Sequence, residues 1–237
     1  MKCSVERLIE ALIGIELAQE RKAAEESKQK ARQANYVVTI SRGFGSLGME
    51  TAQALADRLG VRCCDRMILQ EVAKRAHLDI ALVKTLDETI ELSKARPWKT
   101  FFSGKSYPRE RYLQHLVKVI LNISEQGGVI IGRGAHLILG PERAFRIRID
   151  GSLDTCSARV AEREGIALDA AKERVRTVNR QRADYLHELY GEGVNDFGDY
   201  DLVINSDRFD VSQMVLLILE AMQQVGYDIP PKLLQTA

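Results

Sequence analysis

A chain of 237 residues that is 45% hydrophobic and 28% charged holds enough apolar material for one large domain or two small ones, which excludes a disulfide mini-scaffold, a coiled-coil rod and a wholly disordered chain. Lys and Arg number 34 against 33 Asp and Glu, a formal charge of +1, so no global field draws the molecule to nucleic acid or anionic lipid, and any affinity for phosphate must be local. The cysteines, Cys3, Cys63, Cys64 and Cys156, have neither C-x-x-C spacing nor a dense framework, the usage of a reduced cytoplasmic protein without structural zinc.

Residues 4–33 read as one helix, with Val5, Leu8, Ile9, Leu12 and Ile15 at helical spacing, followed by a charged half rich in Glu, Lys, Arg and Gln. The apolar half must dock, either on the core of its own chain or on a second subunit or partner. Glu6, Glu10 and Glu16 interrupt it, unlike a secretory core. No apolar run approaches the roughly 20 residues that span a bilayer, so the expectation is a soluble cytoplasmic protein with no membrane contact.

The pattern then becomes strand, turn, helix, repeated. Short β-rich runs at 36–40 (YVVTI), 61–64 (VRCC), 129–131 (VII), 145–149 (FRIRI) and 202–204 (LVI) are mostly separated by helix-length segments, which predicts an α/β fold with a parallel sheet covered by helices. Residues 66–126 form a mostly helical insertion, broken at Arg96-Pro97 and again at 104–108. Asp210 with Gln213 begins a capped helix that runs to Met222, and Gly226 with Pro230-Pro231 stops the chain beyond it.

Gly43-Phe44-Gly45-Ser46-Leu47-Gly48 follows the first strand and opens a helix over 49–59. Inward-turned backbone N–H groups and a helix N-terminus there suit a phosphate; a purely structural turn is the alternative. Gly43-x-Gly45-x-x-Gly48 is a dinucleotide fingerprint, with Asp65 placed to hold a ribose hydroxyl, while Gly43-x4-Gly48 is a P-loop frame. Met49 stands where a P-loop has lysine and Glu50 where it has Ser or Thr, with Thr51 one place later. Such a loop still binds phosphate through its backbone, but another cation must follow the charge during transfer.

Further on, Gly132-Arg133-Gly134 sets an arginine at the C-terminal end of a buried strand, the ligand edge of an open parallel sheet. Arg159, Arg163, Arg174, Arg176, Arg180 and Arg182 then fall in a helical segment broken by Gly165. Glu162, Glu164 and Glu173 are near enough to make this an ordinary ion-paired surface. The same guanidinium groups also suit a mobile helix pair that closes over phosphates and excludes water. His77, His115, His136 and His187 lack metal spacing.

These blocks resemble the cytidylate-kinase-like proteins, P-loop kinases related to the nucleoside monophosphate kinases. The resemblance spans about 37–206 and is carried by VTISRGFGSLGMETAQALADRLG, CCDRMIL, GGVIIGRGAHLIL, FRIRIDGSLDTCSARVAEREG, NRQRADYLHELYG and YDLVINS in that order. It implies a five-stranded parallel P-loop core, a helical acceptor-binding insertion and an arginine-rich lid at about 155–195; residues 211–237 close the 36–210 domain, and the 1–35 helical extension lies outside the resemblance. By that resemblance Arg42, Gly43, Gly45, Ser46, Gly48, Glu50 and Thr51, with Arg159 and Arg163, would bind the nucleotide phosphates. Arg133, Arg180, Arg182 and Asp65 would act at the transfer, and Thr51 with Asp65 would hold Mg2+. ATP and Mg2+ are the implied cofactors, and CMP, dCMP or a related small phosphate acceptor the implied partner. Met49 and the Arg133-Gly134 pair depart from authentic cytidylate kinases, which have lysine and arginine-aspartate there. A nucleotide-binding regulator that signals through the N-terminal helix, and a dinucleotide-binding enzyme, are the other two readings.

Overall fold

The computed structural model describes residues 36–65, 109–191 and 196–235, together with Ile9, Ile13 and Gly14. Residues 66–108 of the expected insertion lie outside that set: of 66–126 only the terminal helix from Arg109 is described. Most of the 1–35 extension lies outside it as well.

The elements are β1 (Val37–Arg42), α1 (Gly48–Leu59), β2 (Cys63–Cys64), α2 (Arg109–Gln126), β3 (Gly128–Ile131), α3 (Ala135–Arg143), β4 (Phe145–Asp150), α4 (Leu153–Glu164), α5 (Leu168–Tyr190), β5 (Leu202–Asn205) and α6 (Val211–Gln224). All strand pairs are parallel, in the order β2-β3-β1-β4-β5. β1 is central because both of its faces are buried, as its near-continuous apolar run dictates. On one face Ala52, Leu55 and Leu59 of α1 and Met214, Ile218 and Met222 of α6 cover Val38, Ile40 and Ile147. On the other, Leu116 and Ile120 of α2, Ile138 of α3, Val160 of α4 and Val178 of α5 share a cluster with Val37 and Ile130. Ile9 is buried in that second cluster and Ile13 packs against it, so the apolar stripe of the N-terminal segment docks on its own chain at these positions.

Helix ends follow the sequence signals. Ser152 caps α4 by accepting from the Thr155 N–H at 3.3 Å, and Gly165, at φ 66°, ends it in a left-handed turn from which α5 departs. Asp210 and Gln213 form a reciprocal capping box on α6, a device worth about 1 kcal/mol.

The sheet face beneath α3 carries a polar layer. Ser41 Oγ lies 3.3 Å from His136 Nδ1, His136 stacks on Tyr200 with ring centroids 4.7 Å apart, and Arg148 pairs with Asp150 at 2.6 Å. Arg146, on the same strand alternation, is held by Asp201. Burial, and then the Arg146 and Arg148 charges, push the His136 pKa from 6.5 down to about 3, so the ring is neutral in the fold. The unfolded chain therefore binds a proton at this site before the folded one does. That contribution to stability is complete above pH ~6.5 and is lost as pH falls toward ~3. Thermal unfolding should show it: between pH 7 and 4.5 the melting temperature of His136→Asn should fall by less than that of the parent protein.

Candidate functional site

The glycine loop joins β1 to α1 and is held by its neighbours. The Gly43 N–H donates to the Ile149 carbonyl of β4 at 2.9 Å, and the Ser46 hydroxyl lies within hydrogen-bond reach of the Gly43 and Ile149 carbonyls, at 3.0 and 2.9 Å. Ser46 is 1% exposed, so its side chain faces inward and only its backbone remains for a ligand. Gly45 at φ 81° and Leu47 at φ 61° are left-handed, the kind of reversal that turns successive N–H groups into a concave anion site. Left-handed Leu47 costs roughly 1–2 kcal/mol of local strain. As N-cap of α1 it supplies no capping side chain, and the α1 N-terminus adds positive potential at the same place. A Cβ at Gly45 would strike the Cys156 carbonyl of α4, and one at Gly48 would overlap Arg42.

Thr51 corrects the expectation of a metal ligand. It is fully buried, its hydroxyl donates to the Leu47 carbonyl at 2.7 Å, and its other neighbour is the Met214 sulfur at 4.0 Å. One place beyond the P-loop hydroxyl position, the helical rotation carries it into the core. Glu50 and Met49 are the exposed residues of this first turn.

Across the C-terminal edge of the sheet, Arg42 reaches Asp65 at 3.8 Å and lies over Gly132, where a side chain would collide with its guanidinium. Arg133 is buried at φ 59°, with its guanidinium 5.7 Å from the Tyr185 ring. The Tyr190 hydroxyl donates to the Arg133 carbonyl at 2.6 Å, and Gly134 leaves the room that the Tyr190 ring occupies. Burial pushes the Tyr185 and Tyr190 hydroxyls well above their ordinary pKa, so both are neutral hydrogen-bonding groups.

The lid arginines divide into three kinds. Arg159 braces the loop from α4, donating to the Ser206 carbonyl at 2.7 Å and to the Gly45 carbonyl at 3.4 Å. Arg180 is exposed on α5, and among the described residues no bond or ring contact joins it to the loop. Arg163, Arg174 and Arg182 converge on the Phe44 ring, with guanidinium carbons 5.2, 5.9 and 5.7 Å from its centroid. Each such contact contributes about 0.5–2 kcal/mol, depending on desolvation. Arg182 also donates to the Arg42 carbonyl at 3.1 Å, and Glu164 accepts from Arg163 at 3.1 Å and forms an ion pair with Arg174 at 2.7 Å. Asn179 of α5 accepts from the Phe44 N–H at 2.8 Å.

Phe44 and Asn179 are the site residues that sequence reasoning missed, whereas Glu164 was among the acids expected to pair with the arginine run and does so. The aromatic between two loop glycines was the available signal for Phe44; nothing in the spacing marks Asn179. Among the described residues no cluster of three His, Cys, Asp or Glu side chains could hold a metal. Asp65 and Glu50 are the carboxylates of this region that could hold a magnesium ion, which commonly binds through one or two carboxylates.

A parallel sheet in this order, with a glycine loop after its central strand and an arginine-bearing helix pair after β4, defines a P-loop kinase fold. The sequence profile of the cytidylate kinase-like family matches residues 37–208, and the chain belongs to that family. It is 26% identical over 188 residues to the cytidylate kinase of Methanopyrus kandleri, covering 78% of this chain and 92% of that protein. A stretch of 102 residues is 33% identical to a uronate isomerase of Corynebacterium glutamicum, covering 43% of this chain and only 20% of that one. Among solved structures, an uncharacterized protein from Eubacterium ventriosum superimposes with a TM-score of 0.60 at 26% identity, over 80% of this chain and 99% of its own.

The Gly134–Tyr190 contact is directly testable. Gly134→Ala and Gly60→Ala share the strain of a left-handed alanine, at φ 69° and 67°, but only Gly134 has a ring against it. Chemical denaturation should give a loss of about 1 kcal/mol for Gly60→Ala and about 3 kcal/mol for Gly134→Ala. Equal losses would mean that Tyr190 does not pack there.

Proposed function

We propose that this protein transfers the γ-phosphoryl group of magnesium ATP to a nucleoside monophosphate, with CMP or dCMP as the first acceptors to test. The observation that carries the reading is the convergence of Arg163, Arg174 and Arg182 on the rim of a glycine loop whose backbone is wound for an anion. Phosphoryl transfer asks little covalent chemistry of the protein; it asks for positioning and for positive charge where the transferred group develops negative charge. The Gly45 and Gly48 backbone would hold the donor phosphates, and Arg42 and the three clustered arginines would supply the cations that Met49 does not.

Arg133, buried at the strand edge opposite the loop, would hold the acceptor phosphate, kept in orientation by Tyr185 and Tyr190. Asp65, fixed by Arg42, would face the metal and the acceptor. Mg2+ bound to the donor phosphates would neutralise their charge. Arg180, exposed and without a contact to the loop among the described residues, would contribute only if α5 moved. The relative named cytidylate kinase in Methanopyrus kandleri supports the acceptor class, and a cytoplasmic location fits its nucleotide substrates.

A second reading is motivated by Met49, exposed in the lysine position: a nucleotide-binding regulator with little turnover. Phosphorus NMR of the protein with magnesium ATP and a panel of nucleoside monophosphates separates the two. Formation of ADP together with CDP or dCDP is the expected outcome, and Met49→Lys should change the rate by less than about tenfold because other cations already serve. Unchanged ATP in the parent protein with a large gain in Met49→Lys would favour the regulator. Preferential binding of NAD would favour a dinucleotide enzyme instead.

A further inference from the structure

Phe44 is flanked by Gly43 and Gly45, neighbours without side chains, and this leaves its ring open to long residues reaching across from α4 and α5. Three guanidinium groups use that opening, from Arg163, Arg174 and Arg182, all within 6 Å of the ring centroid at 5.2, 5.9 and 5.7 Å. Like charges gathered this closely repel one another, so something must hold them. Glu164 forms ion pairs with Arg163 and Arg174. The Arg42 carbonyl fixes Arg182, and Asn179 fixes the backbone of Phe44 itself. What the three arginines share is the aromatic ring, 8% exposed, whose negative face attracts cations.

We propose that Phe44 is a positioning residue: its ring gathers Arg163, Arg174 and Arg182 beside the glycine loop, so that a polyphosphate meets an assembled cation cluster instead of a lysine carried by the loop. The inference rests on the phosphoryl-transfer reading for its purpose, but its physical content is polyphosphate binding, which is measured separately. Preassembly matters because arginines recruited from solution conformations would each lose side-chain freedom on binding, whereas stacked ones have already lost it. An aliphatic side chain of similar size would fill the space without holding the cations.

The test uses the full chain and inorganic tripolyphosphate as probe, so that no base or acceptor enters the result. Titration calorimetry should show Phe44→Leu binding about tenfold more weakly than the parent, with Phe44→Tyr within about twofold of it. In proton–nitrogen spectra of the parent protein, arginine Nε–H signals should be displaced by the ring current, and Arg163→Gln, Arg174→Gln and Arg182→Gln should each remove one of them. This second measurement needs no Phe44 variant to fold. Tripolyphosphate bound equally by Phe44→Leu and parent, no binding by the parent, equal damage from Leu and Tyr, or undisplaced arginine signals would each overturn the proposal. Should magnesium ATP phosphorylate no monophosphate while tripolyphosphate binding still depends on the ring, the kinase reading fails and the platform stands.

Discussion

The bond from the Gly43 N–H to the Ile149 carbonyl, 2.9 Å across the β1–β4 pair, ties the start of the glycine loop to the one strand whose end also launches the arginine helices. From that tie the loop must turn sharply within a few residues to enter α1, and it does so through left-handed Gly45 and Leu47. Ser46 seals the turn from beneath. Backbone conformation sets this turn, and the glycines are constrained more by what crowds them than by what they contact. α4 and Arg42 stand where their side chains would be.

A concavity of backbone donors is electropositive, and bringing further cations to it is unfavourable unless each is compensated. The fold compensates them individually. Glu164 stands with Arg163 and Arg174, Asp65 with Arg42, and the rings of Phe44 and Tyr185 with the remaining guanidinium faces. Arg159 spends its hydrogen bonds on the carbonyls of Ser206 and Gly45 and so belongs to the scaffold. The net +1 charge of the chain thus conceals a local imbalance of charge at the loop, and such local fields decide anion binding more than the total does.

The sheet was legible because buried parallel strands write themselves as apolar runs: the five expected strands are the five observed, with the second shortened to Cys63–Cys64. The Asp210–Gln213 cap and the break at Gly165 were legible because each is a local hydrogen-bonding or φ requirement. The glycine loop and the Arg133 turn likewise follow the C-terminal ends of β1 and β3, as their glycine spacing indicated. Residue roles within them were harder to read. Thr51 carried the right chemistry one helical position away from the mouth, and a rotation of about 100° is enough to bury it. Phe44 was invisible as a cation platform because its partners lie more than a hundred residues along the chain, on α4 and α5. Periodicity along one element does not encode such a pairing.

The central claim is that the loop backbone, with its facing arginines, is a donor-phosphate site that works without a loop lysine. Amide resonances of Phe44, Gly45 and Gly48, followed while a non-hydrolysable magnesium ATP analogue is added, test it most directly. The account predicts large, saturable shifts at these amides together with displacement of the Asn179 side chain from the Phe44 N–H, and no comparable change with NAD. Saturable binding of the analogue that leaves all three amides unmoved would place the nucleotide elsewhere and contradict the account.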